Sequence, residues 1–195
     1  MMSWTARWFF FLLQITRGIM LVYTVLVLSG CTLSVTNMLP EVNKKQLAST
    51  HETLRVGQVR EGNVKTDIMH RSLAPSGTIT PGVFEDTLYQ ALERSGIFAR
   101  VVRSGEADLH LDAELVSQEM STGYPMTATL FVRYRLTDTH SGQTRWEKSV
   151  VSIGQSPASE GFRDRQKLAN ERAVQENLKQ LLIALSSVVA TTKGQ

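Results

Sequence analysis

From residue 53 onward, apolar and polar positions recur with two clear periods. Leu54 and Val56 alternate with polar neighbours in Thr53–Arg60 and predict a first strand. Residues 61–80 are mostly polar and include Pro75 and Gly77, which predicts a long loop with room for one extra short strand. Thr80-Pro81 then reads as an N-cap followed by proline at the first helical position. Phe84, Leu88, Ala91 and Leu92 continue at helical spacing, and Gly96 is the expected left-handed stop, with Ile97 folding back on the helix. Phe98–Arg103 predicts a second strand, closed by a Ser104-Gly105-Glu106 turn.

The middle of the chain reads as a hairpin. Leu109, Leu111, Ala113 and Leu115 alternate with His110, Asp112 and Glu114, and Leu130, Val132, Tyr134 and Leu136 alternate with Phe131, Arg133 and Arg135. Like faces meet across antiparallel strands only when paired residue numbers have an odd sum, because side chains alternate with period two. A turn at Thr122-Gly123 sets Asp112 opposite Arg133, and a four-residue turn sets Glu114 there instead. Either register buries one face and pairs opposite charges on the other. Gln143–Ile153 predicts another strand. A five-residue loop pairs Tyr134 with Trp146 and turns Lys148 inward, which fits an edge strand where the ammonium can reach water. Ser156-Pro157 reads as a second cap and N1 proline. The helix it opens carries a stripe of Val174, Leu178, Leu181, Leu185 and Val188. The order β-α-β-β-β-β-α predicts an α+β, two-layer sandwich: a mostly antiparallel sheet of four to five strands with two helices on one face. The β-α-β link is long enough for a parallel crossover.

Ahead of this body, residues 1–30 hold twenty apolar or aromatic residues in two runs, Trp8–Leu13 and Ile19–Leu28, with Arg7 and Arg17 as their only charges. Neither run alone reaches the roughly 20 apolar residues of a membrane span. The charged start, apolar stretch and small-residue end describe a secretory signal peptide. It ends Leu28-Ser29-Gly30-Cys31, which resembles the bacterial lipobox. The resemblance implies cleavage after Gly30, diacylglycerol on the Cys31 thiol and acylation of the new amine. The competing reading is an uncleaved signal anchor ending in a chance cysteine. Thr32 is not Asp, which by the same resemblance points to the outer membrane. Thr32–Glu52 is polar with scattered apolar residues and no period, and reads as the remainder of a 31–52 tether with an r.m.s. reach of about 25 Å. The globular domain is expected over 53–190, with 191–195 frayed.

Charge and composition narrow the chemistry. The chain has 21 Lys+Arg and 18 Asp+Glu, and with Arg7 and Arg17 set aside the remainder is balanced to one charge, so a nucleic-acid partner is not expected. The single Cys excludes a disulfide framework. There is no Gly-x-Ser-x-Gly elbow, no Gly-rich phosphate loop, and the four His, at 51, 70, 110 and 140, fall in separate regions. His110, Asp112 and Glu114 share one strand face, but side chains spaced about 7 Å apart along a strand do not converge on a metal. An ion-paired outer face is expected, and neither catalysis nor a cofactor or metal. The last helix carries Glu160, Arg163, Asp164, Arg165, Lys167, Glu171 and Arg172, read as surface charge patterning.

Three phrases carry a wider resemblance: Phe84–Val102, Thr137–Trp146 and Glu171–Leu185. With the lipobox, they resemble small Gram-negative envelope lipoproteins of the lipopolysaccharide-assembly, ABC-transport auxiliary and curli-secretion kinds, over roughly residues 53–188. The resemblance implies a lipid-anchored, periplasm-facing outer-membrane protein. Its expected role is a non-catalytic accessory or scaffold subunit with an envelope protein partner or in a homo-oligomer. The alternative is a carrier of lipid or glycan, with the Arg100/Arg103 and Arg133/Arg135 pairs supplying charge. Candidate partner contacts are Met69 and His70 in the long loop, Tyr124 and Met126 at the hairpin tip, and an exposed sheet edge.

Overall fold

The structure, a computed structural model, describes residues 33–62, 78–121 and 123–192. The elements run α1 (Val35–Met38), a 3-10 turn (Lys44–Gln46), β1 (Thr53–Val56), β2 (Arg60–Glu61), α2 (Pro81–Ser95), β3 (Arg100–Val102), β4 (Leu109–Ser121), β5 (Met126–Asp138), β6 (Thr144–Ser156) and α3 (Phe162–Thr192). The class is α+β, built on a mixed six-stranded sheet in the order β3-β1-β4-β5-β6, with β2 beside β4. β1 runs parallel to both β3 and β4, and β4, β5 and β6 form an antiparallel meander. Six strands and three helices thus replace the expected four to five and two. The extra strand is the short β2, and the extra helix lies in the segment read as a tether.

That segment is folded. Met38 is fully buried, and Leu33, Val35, Leu39, Val42 and Leu47 pack on the core. Polar bonds tie it down: Glu171 accepts from the Ser34 N–H at 3.1 Å, Ser186 Oγ accepts from the Ala48 N–H at 2.6 Å, and Gln175 donates to the Leu39 carbonyl at 3.2 Å. The apolar residues anchor one at a time and not along a face, so no period marks them in the sequence.

α2 obeys its predicted signals. Thr80 Oγ1 accepts from the Val83 N–H, Pro81 opens the helix, and Gly96 closes it at φ 70°, with Ile97 fully buried behind it. The hairpin takes the wider register, with Leu111 opposite Leu136 and Glu114 opposite Arg133. An extra residue, Val116, then shifts the ladder. This bulge exchanges the faces of β4, so Leu115 points inward before it and Gln118 points inward after it. Gln118 accepts from the Ile79 N–H and donates to Asn170 on α3. On β6, Tyr134 faces Lys148 and Leu136 faces Trp146, two residues away from the expected pairing. The shift by two keeps the parity, so Trp146 still packs half-buried on the core and Lys148 stays exposed on the edge strand.

The second cap is corrected. Ser156 is the buried last residue of β6, and α3 starts only at Phe162. Val150, Ser152, Gly154 and Ser156 all point inward, so the strand's alternation outruns the capping signal. Val174, Leu178, Leu181 and Leu185 form the buried stripe of α3, while Val189 and not Val188 ends it.

α3 lies so close to β6 that a Cβ on Gly154 would sit 2.0 Å from the Ala169 carbonyl oxygen and 2.3 Å from the Ala173 nitrogen. Beside this contact runs a closed polar network. Tyr134 Oη donates to Asn177 Oδ1 at 2.7 Å, Asn177 Nδ2 donates to the Val150 carbonyl and to Ser152 Oγ, and Ser152 Oγ donates to the Ala173 carbonyl. Burial pushes the Tyr134 phenol well above its ordinary pKa. Buried polar groups satisfied in this way fix the register of α3 on the sheet, because sliding the helix would orphan each of them.

Candidate functional site

Of the residues singled out in the sequence, Leu28, Ser29, Gly30, Cys31, Met69 and His70 lie outside the described residues. Tyr124 is 71% exposed at the hairpin tip. Met126 is fully buried, because it begins the inward alternation of β5, and it is corrected from a contact residue to a core residue. Among the described residues the sheet ends on β3 at one side and on the long β6 at the other.

A site missed in the sequence gathers around Tyr124. Ser152 bonds the Ala173 carbonyl, and Gly154 abuts Ala169. Two strand residues advance about 6.6 Å and four helical residues about 6 Å, so the same step brings Ser156 level with Arg165. Arg165 is 93% buried by its 7% relative exposure, and its Nε and Nη1 meet no acceptor. The Ser156 hydroxyl is likewise buried without a partner. The Arg165 guanidinium carbon lies 4.3 Å from the centre of the Tyr124 ring and 6.0 Å from that of Phe162. Both rings remain open to solvent on their other side, Phe162 being 50% exposed.

The energetics of this arrangement are unbalanced. Desolvating a cation costs several kcal/mol, which pairing normally offsets. Cation–π contact with Tyr124 returns about 0.5–2 kcal/mol. The N–H on Nε and the two on Nη1 remain unused. The unused donors are closed off from solvent, so what this end of the molecule offers another is the exposed surface of the two aromatic rings. Arg165 read as a surface charge in the sequence. Its signals were Phe162 one helical turn before it and the aromatic on the hairpin tip, neither of which sets burial on its own. Glu171 is a second such correction, being 4% exposed and held by Ser34 and Asn37.

The outer sheet face is paired as expected. Arg55 Nε donates to His110 Nδ1 at 3.0 Å, and the ring's Nε2 faces Asp112 Oδ1 at 3.2 Å. Arg133 meets Glu114 and Arg135 meets Glu147, each at 3.1 Å. Arg103 meets Asp86 at 2.8 Å and stacks on Tyr89. Arg103, Arg133 and Arg135 are each engaged by a carboxylate. Arg133 and Arg135 line one pocket with Arg60, but Glu61, Asp112 and Glu114 line it too, so it is charge-balanced and not a basic groove. At the far turn, Asp138 accepts from the Ser141 and His140 N–H groups and from Arg145, which holds its carboxyl down at about 2.

No protein-family model and no curated protein matches the sequence. Among solved structures, the chain is similar to protein XCC0632 from Xanthomonas campestris, of family DUF330. The two share 15% identity over 85% of this chain and 97% of that one, with a TM-score of 0.62. It is also similar to the hypothetical protein CT253 from Chlamydia trachomatis, at 11% identity over 73% of this chain and 99% of that one, with a TM-score of 0.55. Lipoprotein GNA1162 from Neisseria meningitidis superposes over 71% of this chain and 98% of that one at 13% identity, with a TM-score of 0.39, too loose to bear on fold or role. The first two likenesses show a shared fold. Among the described residues, no helix is long and apolar enough to cross a membrane.

Proposed function

We propose that this is a lipid-anchored, periplasm-facing outer-membrane lipoprotein. In this reading it serves an envelope transport or assembly complex as a non-catalytic accessory subunit and binds its protein partner through the hairpin-tip end. The Cys31 lipobox motivates the anchoring. The observation that carries the binding role is the pair of exposed rings, Tyr124 and Phe162, set against the buried Arg165 guanidinium. Surface aromatics around a desolvated arginine are the composition of binding hot spots. The alternative lipid carrier needs room between sheet and helix, and there the Gly154 contact and the Asn177 network occupy the space.

The test is affinity capture from detergent-solubilised envelopes, comparing the full chain with a Tyr124→Ala, Phe162→Ala double variant. Both residues are exposed enough for the fold to survive their loss. A membrane protein that co-purifies with the parent and is lost with the variant supports the reading. Recovery unchanged in the variant, or a chain that recovers nothing and stays monomeric, refutes it.

A further inference from the structure

The packed segment ahead of β1 changes what a lipid on Cys31 would do. A free tether of the expected length wanders about 25 Å and leaves the domain unoriented. Here the polypeptide is committed to the domain from Leu33 onward. Leu33 and Val35 pack on the core, Met38 is fully buried, and Glu171 holds the Ser34 N–H and the Asn37 side chain. Only Thr32 separates Cys31 from this anchored stretch. Two residues span at most about 7.6 Å between Cα atoms. Peeling the segment back to lengthen the leash would expose the fully buried Met38 and break the Glu171 bonds as well.

We propose that the surface formed by Leu33–Asn37 and the first half of α3 is apposed to the bilayer, held against phospholipid headgroups by a one-residue leash. This rests on the lipid-anchored reading above and adds an orientation to it. It also places the candidate partner site. Arg165 precedes Glu171 by six helical residues, about 9 Å along the axis of α3. Six residues also turn the helix by about 240°, so the hairpin-tip end lies at the flank of the apposed face, within reach of a partner seated in the same membrane. The other end of α3 is remote: Ser187 lies sixteen residues beyond Glu171, about 24 Å along the axis.

The experiment uses the full chain, processed in cells and reconstituted into vesicles of phosphatidylethanolamine and phosphatidylglycerol. The vesicles also carry a small fraction of lipid with a nitroxide on its headgroup. A fluorophore is placed on Thr36→Cys or on Ser187→Cys; both positions are exposed, and acylation leaves Cys31 without a free thiol. The expected result is quenching at position 36 at least twofold stronger than at 187. Inserting a twenty-residue Gly/Ser segment between Thr32 and Leu33 should abolish the difference. Equal quenching at the two positions overturns the inference. So does a difference that survives the insertion, because adhesion and not the leash would then hold the face. Intact mass of the same sample separates the two levels: if no diacylglyceryl group is present, the anchored reading itself has failed.

Discussion

Replacing Gly154 with alanine puts a methyl group where backbone already lies. Its Cβ would stand 2.0 Å from the Ala169 oxygen, 2.3 Å from the Ala173 nitrogen and 2.9 Å from the Arg172 carbonyl carbon. Ordinary carbon–oxygen contacts begin near 3.3 Å, so α3 must withdraw by about 1.3 Å. None of the three atoms belongs to a side chain that could rotate away. Overpacking of this kind costs about 1–3 kcal/mol. The withdrawal also stretches the bond from Ser152 Oγ to the Ala173 carbonyl, at 2.8 Å, and the Asn177 contacts one turn on. Each buried polar group left unsatisfied adds about 1–3 kcal/mol. A total of about 3–4 kcal/mol is a large part of the 5–15 kcal/mol that holds a domain folded. With a urea slope of about 2 kcal/mol/M, the unfolding midpoint should fall by about 1.5–2 M in Gly154→Ala. The internal control is Gly82→Ala in α2, where a Cβ meets nothing within 4 Å. That change should raise stability by about 0.5–1 kcal/mol. A Gly154→Ala midpoint within about 0.3 M of the parent would refute the close packing of α3 on β6.

Three further outcomes follow from particular bonds. Tyr134→Phe leaves Asn177 Oδ1 without its buried donor and should cost about 1–3 kcal/mol by the same urea measurement, whereas an unchanged midpoint would deny the network a role. Gly96→Ala forces a side chain into φ 70° and should destabilise by about 1–2 kcal/mol, although a Cβ there touches nothing, so the loss reports backbone conformation alone. Asp138 is held at about 2, below its unfolded value near 3.9. The stability it confers is fully present above about pH 4 and is lost as pH falls through about 2. A carboxyl 13C titration of Asp138 should therefore show a midpoint near 2, and Asp138→Asn should flatten the acid dependence of unfolding in that window. A midpoint near 3.9 would contradict the Arg145 and turn contacts.

The regular parts of this molecule were legible because single residues carried them. Thr80, Pro81 and Gly96 bound α2, and strict alternation marks β4 and β5. The ambiguity between hairpin registers was real, since both align the same faces, and only the turn length decides for Glu114 opposite Arg133. What stayed hidden depends on tertiary contact. Val116 looks like any strand residue, yet its bulge exchanges the faces of β4. Met38 and Leu39 sit among polar neighbours, and only the groove they fill makes them core. Gly154 has no signature apart from lacking a side chain. The candidate site was half visible: Tyr124 stood out as an aromatic on a turn, but Arg165 became interesting only when the strand-to-helix step brought it under that ring.

Whether Cys31 carries lipid is read in one spectrum, the intact mass of the protein extracted from the membranes of a Gram-negative host. The predicted species is Cys31–Gln195, 165 residues, carrying a diacylglyceryl group and an amide-linked acyl chain. A chain that still begins at Met1, or a cleaved chain with no added lipid mass, would contradict it.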